Sequence, residues 1–427
     1  MMAMDDELSG RRVFDDWRTM TVFVAGTALF ILSAYFELLN DLLGWFTCVM
    51  LLTLCFWGRI RNSLAWVLLF AGITLYVVPY LSLVIVRYPV QIAWFALFCI
   101  VVEMLLRAEV KPAQASAPVL KTAGTGAASG IAALVVLATG VVLSNSGELL
   151  GVLLFVAWGC SLVAMERCVS TQASGLAKLL LLGGYSALLA IYVLFFWDGF
   201  GRIIISGLFF APLLIILAHG VIRIPALAFA AFAFTLPFIG RVLRFGWGDG
   251  IAGIADDSGA AHILVTSEVW TSSFEVMNAG TLREQWILLM ANWAPRALWP
   301  GKPLGIGSTF VDSYIGRGGF SEGHSTALGY FGEHLYLNRG IWLLSVIALT
   351  FTLIFLRRMI KRLSFPYAAP VIVFDVGLIT LIWGGMAAFG ARVWFPLIPM
   401  TILAMILNAR DRRVGRSVEP VGAAQLA

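Results

Sequence analysis

Nine residues, Pro295-Arg296-Ala297-Leu298-Trp299-Pro300-Gly301-Lys302-Pro303, set an arginine, a lysine and a tryptophan among three prolines and a glycine. Proline lacks the amide hydrogen that a helix interior needs, so the stretch reads as a stiff, irregular turn. Cations held in fixed relation suit an anion, and the planar fork of arginine suits phosphate. Downstream, Glu322, His324, Glu333 and His334 lie within a dozen residues of one another. They offer a base for a hydroxyl, with Glu333 and His324 the first candidates. Asp256 and Asp257 read better as solvated turn carboxylates. Trp270, Trp299 and Tyr336 are candidates to stack on sugar rings. The chemistry these types can do together is transfer from a phosphate leaving group to a hydroxyl.

The elements that must position these residues are almost all apolar. The 427 residues are 60% hydrophobic and 12% charged, with a mean hydropathy of +0.91. That balance excludes a soluble domain and points to an all-α polytopic membrane protein. Helical spans need about 20 apolar residues. Suitable runs fall at 20–38, 41–57, 64–86, 89–106, 128–145, 148–165, 176–197, 203–219, 224–243, 341–357, 370–388 and 393–408, about twelve spans in all. Three regions follow: a bundle of about nine helices over 1–243, a long loop over 244–340, and the last three spans with a basic tail over 341–427. Residues 113–129 read as a flexible linker. The loop is rich in glycine, but Leu282, Trp286, Leu289, Met290 and Trp293 recur at helical spacing and predict an amphipathic helix. A second is expected near 262–278. Neither is large enough to stand alone, so the loop must pack on the bundle.

Lysine and arginine crowd alternate loops, which places both termini in the cytoplasm and the long loop outside. Against that rule, Arg87, Arg202, Arg241, Arg244 and Arg392 fall at the outer ends of the spans, and Arg296, Lys302 and Arg317 fall in the loop. Charges so near hydrocarbon usually face an interior or a cavity. The candidate diphosphate ligands are therefore Arg296, Lys302, Arg317, Arg241, Arg244 and Arg392. Asp375, inside the eleventh span, reads as the partner of a cation among Arg357, Arg358, Lys361 and Arg362.

Other chemistries are poorly served. The cysteines Cys48, Cys55, Cys99, Cys160 and Cys168 sit in or beside apolar segments at no metal-like spacing. No Asp-x-Asp triplet occurs, so a sugar donor held by a divalent metal is not expected. No metal or other cofactor is assigned. The net charge of +5 reflects loop bias, and no basic run interleaved with aromatics suggests nucleic acid.

The string Pro295-Arg296-x-x-Trp299-Pro300-x-Lys302-Pro303, followed by Gly332-Glu333-x-x-Tyr336-x-Asn338-x-Gly340 before a late span, resembles the Wzy-type O-antigen and exopolysaccharide repeat-unit polymerases. The motifs cover about 50 residues, and the rest of the likeness is topology. The resemblance implies a helical bundle similar to the GT-C membrane glycosyltransferases, with one long periplasmic loop, in a bacterial inner membrane. It implies a metal-independent transfer of a growing glycan from undecaprenyl diphosphate onto a lipid-linked oligosaccharide repeat unit. Membrane lipids and a chain-length regulator protein are the other partners it suggests. Two alternatives stay open: an O-antigen ligase, whose acceptor is a lipid A core, and a flippase or transporter of lipid-linked oligosaccharides.

Overall fold

Apolar runs leave the backbone no water to bond, so each must satisfy its own amides as a helix. The computed structural model describes Leu52, Phe56 and residues 62–78, 89–108, 126–144, 148–170, 175–195, 202–245, 279–296, 298–310, 327–337 and 340–417. Among the described residues every regular element is helical. In chain order these are α1 (Ser63–Gly72, continued by a π-helical turn Ile73–Val77), α2 (Pro89–Ala108), α3 (Gly126–Ser144) and α4 (Glu148–Ser170). There follow α5 (Gly175–Phe195), α6 (Arg202–Ala218) and α7 (Ala226–Phe245). The loop region holds α8 (Ala279–Ala291), α9 (Ile306–Phe310) and α10 (Gly329–Leu337), and the chain continues with α11 (Trp342–Ser364), α12 (Ala369–Arg392) and α13 (Trp394–Ser417).

Ten expected spans thus fall on helices close to their expected places, the run 64–86 over its described part, 64–78. The runs 20–38 and 41–57 lie outside the described residues, apart from Leu52 and Phe56. So does the linker up to residue 125, while 126–129 already belong to α3. Among the described residues, four helical segments are by length and composition apolar enough to cross a membrane: Leu153–Ser170, Gly175–Phe195, Trp342–Ser364 and Ala369–Arg392. The surface agrees, with Leu176 68% and Leu227 81% exposed. A helix with so apolar an outer face is stable in lipid, not water.

Helix α12 is not one rod. Gly385 has φ +80 and ψ −171, far from helical values. In a straight helix Gly377 and Val393 would stand about 24 Å apart. Instead the Val393 methyls lie against Gly377, and the Phe374 and Phe389 rings meet at 5.7 Å. The chain runs up over 369–384, reverses at Gly385 and runs back over 386–392 into α13. This corrects the expected boundary at 388–393. The reversal falls on the glycine pair Gly384-Gly385, where a positive φ carries no Cβ penalty. Arg392 therefore does not sit at a loop but two helical turns back along the returning arm.

Polar contacts fasten this hairpin at its other end. Glu166 on α4 accepts the amides of Ala368 and Ala369 at 2.7 and 2.8 Å, capping α12, and His219 Nε2 lies 3.1 Å from the same carboxylate. The Arg167 guanidinium donates to Asp411 at 2.9 Å. Arg357 on α11 pairs with buried Asp375 at 2.6 and 3.1 Å, and the Ser63 hydroxyl donates to the same carboxylate at 2.5 Å. The expected Asp375 ion pair is thus present, with Arg357 as partner. Replacing Glu166 by Gln keeps one acceptor and loses the charge-assisted cap. A loss of about 1–2 kcal/mol is expected, read as a lower Tm of the purified protein. An unchanged Tm would mean that water caps α12 equally well.

Candidate functional site

Helix α10 begins at Gly329, whose φ of +71 lets the chain turn sharply inward. All nine of its residues are buried. Tyr330 donates to Val346 O at 3.2 Å and its hydroxyl lies 2.8 Å from Thr350 Oγ1. His334 Nδ1 lies 2.7 Å from Ser345 Oγ. As α10 ascends from 330 to 334, its partners on α11 descend in number from 350 to 345, so the two helices are antiparallel. Glu333 leaves on another face and meets the turn of α12, where its Oε2 accepts the amide of Met386 at 2.6 Å.

Glu333 is 1% exposed and His334 0%. Glu333 Oε1 and His334 Nε2 are buried without a hydrogen-bond partner. Burial drives the Glu333 carboxyl up to about 8, opposed in part by the Met386 amide, which favours the anion. Burial alone pushes His334 down to about 3, so its ring is neutral. A carboxyl that titrates near neutrality, with one oxygen committed and the other without a partner, is chemically suited to act as a base. The carboxyl is sealed from solvent.

The stretch 295–303 is a series of tight turns, as its prolines require. Leu298 and Trp299 N–H donate to Pro295 O at 3.0 and 3.1 Å, and Lys302 N–H donates to Trp299 O at 3.0 Å. Its cations brace it. Lys302 Nζ donates to Asn292 O and Ala294 O at 2.5 and 2.8 Å, closing the C-terminus of α8. Arg296 donates to Lys302 O at 2.9 Å and more weakly to Pro303 O at 3.5 Å. Partial burial and the neighbouring Arg296 lower the Lys302 ammonium below its ordinary value. Arg296 is exposed, and Trp299 is half-buried.

The turn and the carboxyl converge. Asn292 Nδ2 donates to Ala387 O at 2.6 Å, and Gly305 lies against the Ala387 side chain. Glu333 and the 292–305 segment therefore grip residues 385–387 from different elements. Helix α8 packs along the returning arm, with Trp394 Nε1 donating to Leu289 O at 2.7 Å and Gly390 set against Leu288 O. The expected amphipathic helix is present, but its buried face differs. Gln285 points inward, donating to Leu304 O at 3.0 Å and accepting from Ile306 N–H at 3.3 Å, while Met290 is exposed.

The remaining candidates divide. Tyr336 is buried edge-on against Phe310, centroids 5.3 Å apart, which occupies its ring. Arg392 lines a cavity between helices, described below. Arg241 and Arg244 lie on α7, their side chains outside the described residues. His324, Arg317, Trp270, Asp256, Asp257 and the expected helix near 262–278 also lie outside them. Sequence reasoning puts Gln285 and Asn292 on the polar side of α8, where the structure turns Gln285 inward, and does not single out Gly385 or Glu166. The glycine pair was a visible signal for the first. Among the described residues no group of three His, Cys, Asp or Glu could hold a metal ion. Compared with known proteins, the chain matches no family model, no curated protein and no solved structure.

Proposed function

We propose that the protein is a polysaccharide polymerase, moving a growing glycan from undecaprenyl diphosphate onto a lipid-linked repeat unit at the periplasmic face of a bacterial inner membrane. The observation that carries this reading is the convergence of Glu333 and the cation-bearing turn on residues 385–387. In the reaction, the acceptor hydroxyl gives its proton to Glu333 Oε1 as its oxygen bonds the donor sugar carbon. The bond from that carbon to the diphosphate breaks, and the diphosphate leaves with the electron pair. Arg296, near Lys302, stabilises that leaving charge; Arg317, Arg241 and Arg244 are further candidates. Trp299 offers a face to a sugar. The reading includes about twelve spans in a GT-C-like bundle, cytoplasmic termini and the 244–340 loop outside.

The test supplies the purified protein in lipid with a lipid-linked repeat unit and sizes the products. A ladder of lengthening chains supports the polymerase. Transfer only to a lipid A core would make it a ligase, and passage of unchanged substrate across the bilayer a flippase. Arg296→Ala removes two bonds to backbone carbonyls, so stability is expected to fall by about 1 kcal/mol. Activity is expected to fall at least tenfold. Full activity would remove Arg296 from the leaving-group site.

A further inference from the structure

Arg392 lies beside a cavity walled by Phe155 and Trp158 of α4, Gly207 and Leu208 of α6, Thr380 of the ascending arm and Pro396 of α13. The hairpin puts it there: Val393 packs on Gly377, so Arg392 stands well below the turn, level with the middle of the ascending arm. The residue as a whole is partly exposed, but its Nη1 is buried without a hydrogen-bond partner. Guanidinium stays protonated in any protein environment. A charge so placed needs an opposite charge or several acceptors.

Among the described residues no carboxylate lines the cavity. The neighbouring buried acids are engaged elsewhere, Asp375 by Arg357 and Ser63, and Glu166 by Ala368, Ala369 and His219. The Trp158 indole, a further donor on the wall, is turned to Leu208 O at 3.2 Å. What the walls leave is a guanidinium, the hydroxyl-bearing Thr380 and apolar surface. Gly207 and Gly377 on the wall let Val376 and Val393 pack closely, and the space holds only a few water molecules and no polyatomic diphosphate. Donors around a small apolar-walled space recognise a small anion with a modest hydration cost.

We propose that this cavity binds a single halide, chloride in a cell, as the counter-charge of Arg392. The site is separate from the Glu333 turn and does not depend on the polymerase reading. The test melts the purified full-length protein in sodium chloride and in sodium gluconate at equal ionic strength and pH. Chloride is expected to raise Tm by a few degrees with saturation, because a ligand of the folded state stabilises by mass action. Bromide should act likewise. Arg392→Gln and Thr380→Val should each abolish or weaken the response, and Thr380→Val serves alone if the arginine variant does not fold. Equal Tm in chloride and gluconate would overturn the proposal, as would a full chloride response in Thr380→Val together with Arg392→Gln. Neither result bears on polymer formation, which the sizing assay reads independently.

Discussion

Glu333→Gln is expected to lower polymer formation by about 10²–10⁴-fold, the usual range for losing a positioned base, while leaving the protein folded. Glutamine is nearly isosteric, and its carbonyl oxygen can still accept the Met386 amide that Oε2 now holds at 2.6 Å. Only the proton-accepting capacity goes. Wild-type activity should rise with pH through about 8, where the carboxyl ionises. Stability should move the opposite way. The folded-state value lies above the ordinary 4.5, so the folded form binds the extra proton between roughly pH 4.5 and 8. Its stabilising effect is complete below that window and is lost as pH rises through it, by several kcal/mol in full. The glutamine variant should show neither slope. A variant that polymerises at the wild-type rate would leave Glu333 as a fastening of the α12 turn alone.

Gly385→Ala is expected to be more disruptive than any exposed substitution in the chain. The backbone there, φ +80 with ψ −171, belongs to a region open essentially to glycine, at about 1–3 kcal/mol for other residues. A methyl group would also overlap the Glu333 carboxylate. Either the carboxylate gives up the Met386 amide or the hairpin opens. The combined loss is expected to exceed about 3 kcal/mol, seen as a steep fall in Tm and in polymer yield. Gly384→Ala, whose Cβ would meet only the Ala388 methyl at 2.7 Å, should cost less. Equal Tm values for wild type and Gly385→Ala would mean that the turn is not formed as described.

The helices were legible because hydropathy integrates over a whole span and tolerates single errors. Asp375 was legible too, since a carboxylate in an apolar run must find a cation, and α11 ends in several. The turn between the last two spans lies earlier than the break in hydropathy at Arg392 suggests, because the chain reverses at Gly385. The penalty for a buried charge competed with the freedom of Gly384-Gly385, and the glycines set the turn. The inward faces of Gln285 and Asn292 were not legible. Their amides satisfy carbonyls of Leu304 and Ala387, and nothing local records which distant carbonyls lack partners. Glu333 is legible as an acid shortly before a late span, but α10 begins at Gly329 and holds Glu333 at its middle, and its depth depends on Gly385, which lies far along the chain.

The contacts of the closing hairpin also imply an order of biogenesis. Ser63, Glu166, Arg167, Leu289, Asn292, Glu333 and Arg357 all leave the ribosome before residue 369, and each bonds the α12 or α13 segment. The hairpin therefore behaves as a keystone, entering a bundle whose receiving surfaces already exist. Until it arrives, Glu333 lacks its amide and Arg357 its carboxylate. A nascent chain halted before 369 should consequently be a better target for membrane quality control than one halted after 417.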